Sequence, residues 1–574
     1  LKTGKTHDMA QRVERAAEKH GANRVMAVSF TRSAARVIAS RTELPRENVG
    51  TLHALAYRAL GRPTIAETKA DEWNEHVDRD PELALDSSGA KDVDLDGDRV
   101  IEMHYGETKT GSEKLSAIQT LRAIDRPEHL WPVDLLDFWS RWRSWKREAN
   151  YLDFTDLIEV AADMCPTAPG DPAIFCADET QDLSPLEWKL VRVWGEAAET
   201  GLLVAADPAQ CIYNWKGASP RLFFEPPIPA EDYRVLRQSF RVPRRVHARA
   251  VSWLAQSQSD VMHEYLPRDA DGAVRRMPSG GPSASTWQSP RVIAEIAAAD
   301  ARKTGRTHMI VASCAYMLQP LLRELRELGE PFHNPYRLAA GAWNPMRGAT
   351  ERLVDFLGPV RPDLVRAESA TRALPIWADS DSSQSAREGQ EQLGRQRLWT
   401  WTELWSWVSE LRASDTIRHG AKVELEERAK ADARRPIDDR DPVSASELRR
   451  ILEPGAHEQL KRDLQTDRPW TFIAERLLPS RTKLWRYALN VADKRGASAL
   501  LERPKLIIGT IHSVKGGEAD CVWVWPDLSP SAHAQWSGGD DGRDAITRTF
   551  YVAMTRAREE LVLCGASGPM AVDW

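Results

Sequence analysis

Along the 574-residue chain, short apolar runs that end in acidic or turn residues alternate with longer stretches whose apolar positions recur every three or four residues. The opening "HDMAQRVERAAEKHG" has helical spacing and stops at Gly21, and the "RVMAVSF" that follows reads as a buried strand. The strand signature returns at "AIFCADE" and "GLLVAADP". Loop, helix and buried strand in that order is the rhythm of a parallel α/β sheet, whose ligands gather at the carboxyl ends of strands, where these acids fall. A second α/β stretch begins near residue 250, with "HMIVASC", "KLIIGTIHS" and "ELVLCG" as strands and "QPLLRELRELG" as a helix closed by Gly329. The expectation is an α/β protein with a nucleotide-binding core and room for a second, similar fold in tandem.

Two inserts interrupt this rhythm. The first, from about residue 60 to 148, is acidic at its start ("DEWNEHVDRDPELALD") and basic and aromatic at its end ("FWSRWRSWKREANY"). Within it, Asp92, Asp94, Asp96 and Gly97 imitate the start of a calcium loop, but Met103 stands where the bidentate Glu is needed, so a solvated loop is expected. The second insert, from about 346 to 500, is helix-rich and charged. It holds the polar linker "ADSDSSQSAREGQEQ" and a capping box at Ser444 and Glu447. Its tryptophan run places Trp401, Leu404 and Trp405 at helical spacings, which favours a packed helix over a binding surface.

Composition narrows the class. Hydrophobic residues make up 42% and charged residues 28%, as in a globular protein, and the length suggests three or four domains. A net charge of −6 excludes a uniformly basic coat, so any nucleic-acid contact is a local groove. The six scattered cysteines show no zinc spacing and read as reduced thiols of a cytoplasmic protein. No apolar run is long enough for a membrane span. The 22 tryptophans decide nothing alone, because Trp serves packing, stacking and interfaces alike.

Two motifs carry chemistry. In "FCADETQD" an apolar strand ends in Asp178 and Glu179, which supply one carboxylate to hold magnesium and another to orient and deprotonate an attacking water. In "LKTGKTH", Gly4, Lys5 and Thr6 fit the end of the phosphate-loop pattern G-x-x-x-x-G-K-[ST]. Its first glycine would fall before residue 1, so the match is partial and the N-terminus reads as truncated.

The blocks "GKT", "AVSFTRSAAR", "GTLHALAYR", "DETQDLSPLE", "ADPAQCIYNWKGA", "RQSFRVP", "GTIHSVKGGEAD" and "YVAMTRAREELVL" occur in this order. Together they resemble the motifs of the superfamily 1 UvrD/Rep/PcrA-like helicases. The resemblance implies two RecA-like domains in tandem, each interrupted by a mostly helical insert. The first would comprise residues 1–59 and 149–245 with insert 60–148; the second, 246–345 and 500–574 with a mobile insert 346–499. It further implies ATP and Mg2+ in the cleft and single-stranded DNA across the top. Lys5 would bind the β- and γ-phosphates, Thr6 and Asp178 magnesium, Glu179 the water, and Gln210 would sense the γ-phosphate. Arg241 and Arg556, from the second domain's side, would stabilise the transferring phosphoryl group. Phe240 would stack on adenine and Glu518 bind the ribose, while His7 stands where relatives often carry Arg.

On the DNA side the resemblance assigns stacking to Phe30, Tyr213 and Trp215, the last beside Lys216. Backbone contacts fall to Thr31, His53, Thr510, His512 and Ser513. Core packing is the competing reading of Phe30 and Tyr213. Gly517 replaces a usual apolar residue and is expected to loosen the loop that links ATP to DNA. The activity implied is ATP-driven, 3′ to 5′ translocation on single strands and unwinding at duplex junctions, in repair, replication or recombination. Two alternatives stand beside it: the motor subunit of a repair nuclease complex that needs a protein partner, and an ATPase-inactive nucleic-acid binder.

Overall fold

The structure, a computed structural model, describes residues 3–30, 35, 38–86, 110–258, 265–277, 290–337, 343–346, 348–358 and 399–574. Thr31, the Asp92–Gly97 motif and the linker between the two halves of the second insert lie outside the described residues. The chain divides into two compact units, one of residues 1–274, 528–560 and 574, the other of residues 275–527 and 561–573.

In the first unit, strands β1 (Val25–Ser29), β2 (Val49–Gly50), β3 (Ile174–Asp178) and β4 (Gly201–Ala205) form a parallel sheet in the order β2-β1-β3-β4. All five residues of β1 are buried, and alternate side chains face opposite ways. Val25 and Ala27 join Met9 and Val13 of helix α1 (Lys5–His20). Met26 and Val28 pack with Leu55 of α2 (Leu52–Ala59). A sheet covered on both faces explains why these runs read as continuous apolar segments.

The first insert contributes α3 (Thr110–Ala123) and α4 (Val133–Ala149) around its own aromatic core of Trp73, Trp131, Phe138, Trp139, Trp142 and Trp145. A buried ionic clasp ties it to α5 (Phe154–Met164). Arg122 donates to both Asp153 oxygens at 3.0 Å and to Asp156 at 2.6 Å, and Lys146 reaches Asp153 at 2.5 Å. Two of the insert's bases, Arg122 and Lys146, thus pair with acids that follow it in the chain rather than facing solvent. After α6 (Pro185–Ala197) come β5 (Gln238–Pro243) and β6 (Leu266–Arg268), which pair in parallel.

The second unit is built on a six-stranded sheet of β7 (Ala273–Arg276), β8 (His308–Ala312), β9 (Phe332–His333), β10 (Leu506–Thr510), β11 (Ala519–Val524) and β12 (Ala557–Leu563). Its order is β7-β12-β11-β8-β10-β9, and β8 pairs in parallel with β10 and β11. The helix before Gly329 forms, and the glycine caps it in the left-handed region at φ 61°. The capping box at Ser444 and Glu447 is present. The helix Trp401–Val408 buries Trp401, Leu404 and Trp407, so the tryptophan run is core. Helix α7 (Asp540–Met554) packs into the first unit, where Trp253 Nε1 donates to Thr547 O at 2.9 Å. All six cysteines are thiols.

Candidate functional site

Gly4 holds φ at 86°, a conformation open to glycine, and turns the chain into α1 so that Lys5 and Thr6 occupy its first turn. The helix N-terminus and its unpaired N–H groups make this end receptive to an anion. Lys5 Nζ is shielded from solvent and has no hydrogen-bond acceptor among the described residues; its ion pair with Glu179 spans 3.9 Å. Burial acts to lower the Lys5 pKa, but the charges of Glu179, Asp207, Asp178 and Asp182 outweigh it, so the group stays an ammonium. A buried cation without an acceptor suits a phosphate.

Thr6 Oγ1 donates to Asp178 Oδ2 at 2.9 Å, bringing together the two residues assigned to magnesium. Burial, then the neighbouring Glu179 charge, raises the Asp178 pKa to about 6, against Lys5 and the Thr6 hydroxyl. Hydroxyl and carboxylate oxygens suit a hard cation that keeps most of its shell as water and phosphate. No cluster of three or more His, Cys, Asp or Glu side chains forms a metal site among the described residues.

At the end of β3 the backbone turns sharply, and Glu179 sits at φ 56°. A non-glycine residue there is strained, and such strain concentrates at functional turns. The turn aims Glu179 into a continuous hydrogen-bond chain. Gln181 Nε2 donates to Glu179 Oε2 at 2.5 Å, and Gln181 Oε1 accepts from Asp207 N at 2.9 Å. Gln210 Nε2 donates to Asp207, and Gln210 Oε1 accepts from Arg556 Nη2 at 2.8 Å. Arg556 is buried, and its Nε donates to Val552 O at 2.9 Å. Thus Arg556, which the resemblance assigns to the far side of a cleft, belongs to the same compact unit as Lys5, because α7 packs there. Arg241, buried on β5, lies in that unit too. Phe240, the residue before it, is 63% exposed and lies beside Gly4, where a Cβ would sit in van der Waals contact with its ring at 3.7 Å. His7 is exposed and contacts Gln11.

A second group gathers on the same unit. The rings of Phe30 and Tyr213 lie 5.2 Å apart, and those of Tyr213 and Trp215 are 6.3 Å apart. Lys216 Nζ stands 4.0 Å over the Phe30 ring. Tyr213 is buried, so its ring supports the group, whereas Trp215 is 41% exposed. Glu187 orders the cations: its Oε2 accepts from Lys216 Nζ at 3.1 Å and from Ser184 N at 2.7 Å, and its Oε1 lies 4.0 Å from His53 Nδ1. Burial holds the His53 pKa below its ordinary value, with Lys216 adding to the effect and Glu187 opposing it. His53 therefore offers a neutral imidazole rather than a charge.

The remaining assigned residues lie in the second unit. Thr510 and Ser513 bond each other around a tight turn, Ser513 Oγ donating to Thr510 O at 2.9 Å and accepting from Asn334 Nδ2 at 3.1 Å. His512 is half-buried. Gly517 is not a point of looseness. A Cβ there would fall 2.3 Å from Tyr336 Cζ, so the Tyr336 ring fills the place of the usual side chain, and its hydroxyl accepts from Glu518 N at 3.4 Å.

Sequence reading passed over Gln181, Asp207 and Glu187, all within the quoted blocks. Their work is to bridge other side chains, which spacing alone does not display.

The family model for the UvrD/REP helicase N-terminal domain matches residues 3–226, and that for the UvrD-like helicase C-terminal domain matches residues 505–564. Residues 3–226 and 505–564 thus carry the two halves of a UvrD/Rep-like helicase. This UvrD/Rep-like chain is also similar to proteins named ATP-dependent DNA helicase UvrD2, one from Mycobacterium bovis and two from strains of Mycobacterium tuberculosis. Each is 26% identical over 293 residues, covering 45% of this chain and 41% of the relative, so the match spans less than half the length of those relatives.

Proposed function

We propose that the protein is an ATP-dependent DNA helicase and single-stranded DNA translocase. The observation that carries this reading is the unbroken hydrogen-bond chain from Glu179 through Gln181, Asp207 and Gln210 to Arg556, beside a buried, acceptor-less Lys5. Lys5 would hold the β- and γ-phosphates of ATP, and Thr6 with Asp178 would hold Mg2+. Magnesium, when bound, neutralises phosphate charge. Glu179 orients the attacking water and takes its proton, while Gln210, Arg556 and Arg241 place hydrogen-bond donors and positive charge where negative charge develops on the phosphoryl oxygens. Phe240, by the resemblance, would stack on the base, and Glu518 would bind the ribose.

Single-stranded DNA would stack on Trp215, backed by Tyr213 and Phe30, with Lys216 and His53 near its phosphates and Thr31, Thr510, His512 and Ser513 as further backbone contacts. Domain boundaries follow the sequence expectation as a proposal, except that residues 246–274 and 528–560 group with the first compact unit. No described helix is long and apolar enough to cross a membrane; a cytoplasmic site of action is part of the same proposal. The 3′ to 5′ direction rests on the family. Strand displacement on duplexes with a 3′ or a 5′ single-stranded tail tests it: unwinding from the 3′ tail is expected, and preference for the 5′ tail would contradict it.

A further inference from the structure

Arg548 lies inside α7, two turns before Arg556, and is buried. Its Nε donates to Cys211 O at 3.0 Å, and its Nη2 lies 3.5 Å from Asn214 Oδ1. Cys211 follows Gln210, whose side chain accepts from Arg556. The helix and the residue two positions beyond its end therefore grip two adjacent residues with two guanidinium groups, Arg556 at the proposed γ-phosphate sensor and Arg548 at the root of the loop that carries Tyr213, Trp215 and Lys216.

The loop itself is closed against slack. Asn214 Nδ2 donates to Ala218 O at 3.1 Å, Lys216 is held by Glu187, and Gly217, at φ 87°, leaves no room for a Cβ beside Ile124. A closed loop tied at its root moves as a piece when its tie moves. A buried guanidinium is costly to desolvate, and burial holds the Arg548 pKa below its ordinary value, so a purely structural role would be served more cheaply by an apolar side chain.

We propose that Arg548 is a positioning residue that couples the base-stacking loop 211–216 to the Gln210–Arg556 contact through α7. The proposal rests on the helicase reading above. It gives Arg548 no contact with substrate; it acts through Cys211 and Asn214.

Two variants, Arg548→Ala and Arg548→Lys, test it, compared with the unmutated protein by ATP hydrolysis across a titration of single-stranded oligothymidylate and by amide hydrogen exchange without DNA. For Arg548→Ala we expect a rise of roughly tenfold in the DNA concentration that half-activates hydrolysis, DNA-free turnover within about twofold, and roughly tenfold faster exchange over residues 211–218, the loss of one charge-assisted hydrogen bond. Arg548→Lys, able to reach Cys211 O but not both acceptors, should fall between. Unchanged activation and exchange would overturn the proposal. So would loss of nucleotide binding and DNA-free turnover in both variants, which marks a general structural role. If DNA stimulates hydrolysis neither in the unmutated chain nor in a form with the full phosphate-loop pattern ahead of Leu1, the helicase reading itself fails, and exchange alone then decides the grip: faster exchange supports it, unchanged exchange overturns it.

Discussion

Glu179 concentrates the argument at the scale of single residues. It is held at a positive φ, bonded by Gln181, and 3.9 Å from Lys5, and on these grounds it is proposed as the group that takes the proton of the attacking water. Replacing it by Gln keeps the size and the hydrogen bond to Gln181 but removes the proton acceptor. Turnover of Glu179→Gln should drop by roughly a hundredfold or more while binding of a fluorescent ATP analogue is retained. Retained turnover would overturn the assignment. Asp178 and Glu179 were legible in sequence because an apolar strand ended on them. The chain through Gln181 and Asp207 was not, because a bridging amide has no periodicity and no charge to betray it.

Among elements, the two clasps carry separate predictions. Tyr336 occupies the space over Gly517, so Gly517→Leu alone should destabilise the protein by about 1–3 kcal/mol through overpacking. Tyr336→Ala should open a cavity, and the double variant should recover a large part of both losses in denaturant unfolding. Additive losses would contradict the pairing. The residue at 517 was readable as an anomaly, but not its filler, which lies 181 positions earlier in the chain.

Beside the ionic clasp, Glu67 accepts from Phe154 N at 3.0 Å and from Gln119 Nε2 at 2.7 Å, and this carboxyl titrates. Burial, then the Asp153 charge, pushes Glu67 up from 4.5 to about 8, against the Phe154 N–H and Lys146. The folded state thus keeps a proton that the unfolded chain releases near 4.5. Its contribution to stability is full below about pH 4.5 and is lost as pH rises toward 8. Glu67→Gln has no such group, so the stability of the unmutated protein relative to this variant should fall between pH 5 and 8. Thermal unfolding at several pH values measures this, and a flat difference would refute it.

At the scale of the whole molecule, the alternation of buried strands and amphipathic helices announced two α/β cores, and both are present, the first as a parallel sheet and the second with β8, β9, β10 and β11 in parallel. What the order of segments did not announce is that residues 528–560 pack with the N-terminal unit, carrying Arg548 and Arg556 to Cys211 and Gln210. Such placement is set by long-range burial of α7 against Trp253 and its neighbours, which a local pattern does not encode. The central claim is that this arrangement is a motor whose ATP site answers to DNA. The most direct test is ATP hydrolysis with and without single-stranded DNA, by the 574-residue chain and by a form with the full phosphate-loop pattern built ahead of Leu1. The account predicts strong stimulation by DNA in the form with the full loop. Hydrolysis that is absent, or indifferent to DNA, in both forms would contradict it.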